Sequence, residues 1–224
     1  SVFPEKRGDG YCARLDTRME SVKVLGLVNI TVLAAGSIFT GSVHEPIKGT
    51  KNPQKMLQTG IPFTKKPVAL QFDYKVKMSD RENRIRATGF SKITDVPGKD
   101  YPAAILLLQK RWEDANGNVY AKRIGTMVTY YYHSTDWKNN VTYEIMYGDI
   151  TNRPEYKAHM MRLQATESYT VNSKGESVPI HEVAWGDEND VPTHMYIQFT
   201  SSHGGAYIGS PGNTLWVDNV KLVY

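Results

Sequence analysis

The chain is almost without cysteine: Cys12 is the single thiol among 224 residues. That excludes an intrachain disulfide and a cysteine-built metal site, and Cys12 reads as a small strand residue. No apolar run approaches the ~20 residues of a membrane-spanning helix, so no transmembrane segment is expected in this chain. No signal peptide is visible at Ser1, an absence that does not argue for the cytoplasm. Charge is not concentrated either. The net charge is +4 and the pI about 8.9, with basic residues spread along the chain in short pairs such as Lys65-Lys66 and Lys110-Arg111. Nucleic-acid binders cluster their basic residues, so these read as a solvated surface and no nucleic-acid partner is expected.

Familiar catalytic patterns are missing too. There is no G-x-S-x-G elbow and no phosphate-cradling glycine loop. His181-Glu182 lacks the second histidine of H-E-x-x-H, and the six histidines are dispersed, so His159 and His194 read as ordinary polar positions. Glu144 and Asp149, near Trp137 and Tyr143, are candidates for a glycosidase carboxylate pair, against a plainer reading as surface acids on a strand and its turn. No catalytic residue is assigned.

What the chain does have is a strand vocabulary. Hydrophobic residues make up 40%, tyrosine is abundant at 14, and Gly 18 with Pro 11 supply turns. In Leu70–Met78, Leu70, Phe72, Tyr74, Val76 and Met78 fall on one face and Gln71, Asp73, Lys75 and Lys77 on the other. Similar alternation begins at Tyr11. Further strands are read at Lys23–Ala34, Ser37–Val43, Ala103–Trp112, Val119–His133, Thr142–Tyr147, Met195–Ser201 and Leu215–Tyr224, with a hairpin at Asn116-Gly117. Ile47–Pro62 and Gly175–Val191 read as loops, and Pro154–Thr166 as a short helix. About ten strands at this spacing predict an all-β, antiparallel β-sandwich or jelly roll, with residues 1–224 as one domain and its first and last strands close together.

The aromatics point to a ligand class. A pyranose offers a flat C–H face to an aromatic ring while polar neighbours take its hydroxyls. Trp112, Trp137, Trp185 and Tyr130-Tyr131-Tyr132 are available. Tyr130 and Tyr132 share the face of Val128 and read as core, which leaves Tyr131 as the surface candidate. Trp137 follows a polar turn and adjoins Lys138, Asn139 and Asn140, and Trp185 lies in a polar stretch. The candidate carbohydrate-binding residues are therefore Trp137, Trp185 and Tyr131, in that order, although packing is the commoner fate of such rings.

Four stretches resemble one family. They are Ala13-Arg14-Leu15-Asp16-Thr17, Ala35-Gly36-Ser37-Ile38-Phe39-Thr40-Gly41, Gly60-Ile61-Pro62-Phe63-Thr64 with Pro67, and Gly209-Ser210-Pro211-Gly212-Asn213-Thr214-Leu215-Trp216-Val217-Asp218-Asn219-Val220. In order and spacing they resemble the putative carbohydrate metabolism domain of Bacteroides-type surface and secreted proteins. Pro211 and Asn213 depart from the smaller residues expected there. The resemblance implies a galactose-binding-like jelly roll similar to carbohydrate-binding modules. It also implies a polysaccharide or oligosaccharide partner. Export is implied as well, to the cell surface, the outer membrane as a lipoprotein, or the periplasm, as the C-terminal domain of a longer protein. Three functions follow: a non-catalytic glycan-binding domain, a structural or adhesive surface domain, or a glycoside hydrolase.

Asp218 poses a separate question. By the two-residue period it shares a row with Trp216, Val220, Leu222 and Tyr224, where an unpartnered carboxylate would cost several kcal/mol. It can lie in water at an edge, or be satisfied by backbone amides or an arginine. The resemblance adds a third solution, a structural calcium held by Asp218, Asp9 and Glu5. The metal-free solutions come first, and the expectation is that Asp218 is structural and tied to the loop Glu5–Gly10.

Overall fold

A computed structural model describes residues 1–24, 28–43, 52–163 and 168–224. The chain folds as a β-sandwich of the jelly-roll kind. One sheet runs, edge to edge, through Val2–Arg7, Gly10–Val24, Thr214–Val223, Ala69–Lys77 and Thr135–Glu144. The other runs through Tyr169–Val171, Ser177–Trp185, Val119–Tyr130, Ala103–Glu113, His194–Thr200 and Ser37–Phe39. Leu15, Leu70, Phe72, Val76 and Leu215 from the first sheet meet Leu106, Leu108, Ile124, Met127 and Phe199 from the second in one core. The alternation read in Leu70–Met78 is the alternation observed. Among the described residues no helix is long and apolar enough to cross a membrane.

The second sheet is built on the hairpin of Ala103–Glu113 with Val119–Tyr130. Its turn closes on Gly117, whose φ is +91°, while the Asp114 carboxylate accepts the amides of Asn116 and Asn118. The pairing slips at Leu108/Gln109, leaving Ile124 as the extra residue of a β-bulge. A bulge inverts the alternation. Ile124 at the bulge and Met127 and Tyr131 after it all point into the core. Arg123, Val128 and Tyr130 point to the outer face, where Ile105, Leu107 and Val128 form a second apolar patch against Met160, Met161 and Tyr196. Both faces of the hairpin are therefore apolar.

Several expectations are corrected. Gly175–Val191 is not all loop: Ser177–Trp185 is a strand, and it runs parallel to Val119–Tyr130, while every other strand pair among the described residues is antiparallel. Trp137 lies in the strand Thr135–Glu144, not in a turn. Residues 154–163 form turns and no helix, and the rest of the helix expected over Pro154–Thr166 includes residues outside those described. The same holds for 25–27 within the strand read at Lys23–Ala34, and for 47–51 within the loop read at Ile47–Pro62, where Pro53–Met56 is a 3-10 turn. In the last strand the faces are exchanged. Leu215 and Val217 enter the core, while Trp216 faces outward beneath Arg14 and Lys75.

That exchange places Asp218 on the outside of the first sheet, within reach of the first strand. Arg7 Nη1 donates to Asp218 Oδ2 at 2.7 Å and to Asp73 Oδ2 at 2.8 Å, and Nη2 to Asn139 Oδ1 at 2.6 Å. Its guanidinium lies 3.8 Å from the Trp137 ring centre. The register slips in both strands beside Ala69–Lys77, with Asn140 and Asn219 in left-handed conformations at φ +51°. Asp73 accepts the Asn140 amide at 2.6 Å and Asn219 Nδ2 at 2.9 Å. One arginine and one buried carboxylate thus hold two bulges side by side. The calcium set does not fit this geometry. The guanidinium occupies the place of a cation beside Asp218, Glu5 pairs with Arg14 at 3.3 Å, and Asp9 is exposed in a turn. Asp218 is tied to the N-terminal strand, as expected, by Arg7.

Loss of stability should follow the order Asp73→Ala, Asp218→Ala, Asp187→Ala. We expect about 3 kcal/mol for Asp73 and about 1 kcal/mol for Asp218, which shares its arginine. Thermal unfolding of the three variants tests this, and equal effects of Asp218→Ala and Asp187→Ala would make Asp218 an ordinary surface acid. Burial pushes the Asp73 carboxyl upward, but the Asn140 amide, the Asn219 side chain and Arg7 outweigh it and hold its pKa below the ordinary range. A depressed folded-state pKa gives stability that is present above the unfolded value of about 3.9 and lost as pH falls through the folded one. The stability gap between the parent and Asp73→Asn should therefore narrow from pH 5 towards pH 2 in denaturant titrations. A gap independent of pH would contradict the assignment.

Candidate functional site

The outward side chains of Tyr130 and Tyr132, at and just after the end of Val119–Tyr130, meet three other segments in a cluster of five rings. His159 stacks on Tyr130 with centroids 4.5 Å apart and planes at 21°. His203 lies 4.9 Å from Tyr130 and 5.5 Å from Tyr101, and Tyr101 meets Tyr132 edge-on at 4.7 Å. The Tyr132 hydroxyl is 3.2 Å from His159 Nδ1. Tyr132 is 45% exposed. Burial, followed by the charge of Lys157, lowers the His159 pKa below its ordinary value, so the ring is neutral at pH 7.

A cleft of about 270 Å³ opens beside these rings. Tyr130, Tyr132 and His159 supply its flat surfaces, and Lys157 and Glu144 its charged ends. That combination suits a sugar ring: aromatic faces for C–H groups, with a cation, a carboxylate and a phenol for hydroxyls. A more open hollow of about 430 Å³ lies between Val68, Ala69, Thr142, Ile145 and Tyr147 and shares Glu144. It offers fewer free polar groups, since the Tyr147 hydroxyl is engaged by the Pro67 carbonyl.

Behind the rings stands Asp100, whose side chain is fully buried. It accepts Ser202 Oγ at 2.9 Å, the His203 amide at 3.2 Å, the Ser210 amide at 2.8 Å and Asn213 Nδ2 at 3.3 Å. The Tyr101 amide donates to His203 Nδ1 at 3.0 Å. The same nitrogen lies 3.1 Å from Asp100 Oδ1. Gly209 admits this arrangement because a Cβ there would stand 2.7 Å from Ser202 Oγ. The stretch Gly209–Asn213 is thus a scaffold behind the aromatic cleft, and the buried amide of Asn213 has a defined task in it.

Farther along the same outer face, Arg123 is buried and paired bidentately with Glu182, which also accepts Gln109 Nε2 at 2.7 Å. Arg111 donates to Gln109 Oε1 and to the Thr59 carbonyl, each at 2.8 Å. Burial pushes Arg111 down to about 10, partly countered by Glu182, and burial with the Arg111 charge pushes His194 down to about 4. These groups satisfy one another and give the sheet a rigid polar floor.

The structure does not bring Trp137, Trp185 and Tyr131 together. Arg7 covers one face of Trp137 on the first sheet. Trp185 ends the strand Ser177–Trp185 with Arg123 5.6 Å from its ring. Tyr131 is corrected outright: it is 6% exposed and packed in the core, 4.6 Å from Tyr74. The expected parity holds, but the face carrying Val128 is the outer one, so Tyr130 and Tyr132 are the residues on view. His159, His203 and Tyr101 reach the site through space, from segments with no shared sequence pattern.

The fold has a counterpart in the crystal structure of a putative glycoside hydrolase from Bacteroides thetaiotaomicron. It is 21% identical, with a TM-score of 0.56, over 100% of this chain and 56% of that one. The present chain thus spans little more than half of that protein, and the likeness is one of fold. No match is found among curated proteins. The model of the putative carbohydrate metabolism domain matches residues 2–223, and the chain belongs to that family.

Proposed function

We propose that the domain binds glycan without cleaving it, as part of an exported protein that captures or uses polysaccharide, and that the sugar sits in the cleft of Tyr130, Tyr132 and His159. The stacked pair Tyr130–His159, held open beside an exposed Tyr132, carries the reading. Membership of a carbohydrate metabolism family supplies the ligand class. A hydrolase is the second reading, because of the carboxylate in the cleft. Hydrolysis needs two carboxyl groups flanking the bond, and Glu144 is the one carboxylate among the described lining residues. A buried Asp100, engaged on both oxygens, is not available as its partner.

A glycan array should give at least one oligosaccharide ligand. Tyr132→Ala and His159→Ala should each weaken its binding about tenfold to a hundredfold, the loss of ~1–3 kcal/mol of stacking and apolar contact. Unchanged affinity in both variants would move the site elsewhere. Release of reducing sugar that disappears in Glu144→Gln would favour the hydrolase.

A further inference from the structure

Residues 143–147, which end the strand Thr135–Glu144 and follow it, form a wall shared by two hollows. Tyr143, Glu144 and Met146 line the aromatic cleft. Glu144, Ile145 and Tyr147 line the more open hollow of about 430 Å³, with Val68 and Ala69 beside them. Glu144 is exposed and common to both. Its carboxylate has no hydrogen-bond or ion-pair partner among the described residues. The side-chain polar groups around the open hollow, by contrast, already have partners. The Tyr147 hydroxyl donates to the Pro67 carbonyl at 2.7 Å, and Thr142 Oγ1 accepts Gln71 Nε2 at 2.6 Å. The Ile145 amide donates to the Val68 carbonyl at 2.9 Å. What the hollow presents is therefore apolar: Ala69, Ile145, the Tyr147 ring and Val68, which is 54% exposed.

Two properties together select the occupant of this hollow: an apolar surface and, at its edge, an acceptor that lacks a donor. An ionised carboxylate takes N–H and O–H groups only, and an apolar surface gains by covering C–H groups. A hexose clothed in hydroxyls supplies the donor but leaves other hydroxyls unpaired against Val68 and Tyr147. A free amino sugar supplies a cation and no apolar group. An acetamido substituent supplies both needs at once, an N–H for Glu144 and a methyl group two bonds away for Val68 and the Tyr147 ring. Its carbonyl oxygen stays in water at the open side. We propose that the glycan held in the cleft continues over Glu144 into this hollow, and that the sugar placed there carries an acetamido group. The proposal rests on the reading that a sugar occupies the cleft of Tyr130, Tyr132 and His159. It adds a second subsite and a substituent, and it makes Glu144 a specificity-determining residue.

Calorimetric titration with matched disaccharides tests this. N-acetyllactosamine differs from lactose, and N,N′-diacetylchitobiose from cellobiose, only by acetamido groups in place of hydroxyls. In at least one pair the acetamido member should bind about tenfold more tightly or better. Glu144→Ala and Val68→Asp should each abolish that preference, while Tyr132→Ala should weaken both members of the pair and leave the preference in place. Glu144 and Val68 are both exposed, and a thermal melt close to that of the parent serves as the folding control for either variant. Equal binding within both pairs, a preference that survives in the folded variants, or no binding of any of the four disaccharides overturns the second subsite. Each of these results leaves the cleft intact if the array-selected oligosaccharide still depends on Tyr132 and His159. Loss of that dependence overturns the cleft, and the second subsite with it.

Discussion

Pairing of Ala103–Glu113 with Val119–Tyr130, closed at Gly117 and slipped at Ile124, decides which side chains this protein buries and which it shows. Successive residues of a strand go to opposite faces. With both faces of the hairpin apolar, each needs a cover. The inner face takes the first sheet. The outer face takes the turns around Met160 and Met161, and those turns bring His159 against Tyr130. Where the inner face outruns its cover, Trp112 remains in view, stacked on Tyr120. Which rings are buried and which are exposed is thus a consequence of one register.

Buried charge keeps that register. Asp73, Asp100 and Glu182 are each taken out of water and each surrounded by donors: Arg7 and two asparagines, two backbone amides with a serine and Asn213, and Arg123 with Gln109. Such groups add little net stability, because desolvation offsets the gain. They are costly to mispair, however, and so penalise alternative registers. The bulges at Asn140 and Asn219 show this: left-handed non-glycine residues are tolerated where Asp73 accepts their polar groups. The stretch shared with the family, Gly209–Asn213, belongs to this scaffold and touches the cleft through Asp100 and His203.

The strands Leu70–Met78 and Ala103–Trp112 and the hairpin turn were legible because alternation and an Asn-Gly turn are local signals. Ser177–Trp185 was not, since Pro179 and flanking polar residues mask a strand whose partner is parallel and distant in sequence. The cleft was half legible. The run Tyr130–Tyr132 stood out, yet alternation fixes parity and not which face is core, so Tyr131 was exchanged with its neighbours. Bulges cause the same error at Asp218, where a slip between Asp218 and Lys221 moves Leu222 back to the core side. Contacts of His159 and His203 with Tyr130 join residues far apart in the chain, and nothing local announces them.

Side-chain NMR of the histidines during titration with an array-selected oligosaccharide tests the central claim most directly. The account predicts that the ring signals of His159 and His203 shift and saturate together with the rings of Tyr130 and Tyr132, while His194, enclosed near Arg111, stays unchanged. Saturable shifts confined to other residues, with the His159 and Tyr132 rings unmoved, would contradict it.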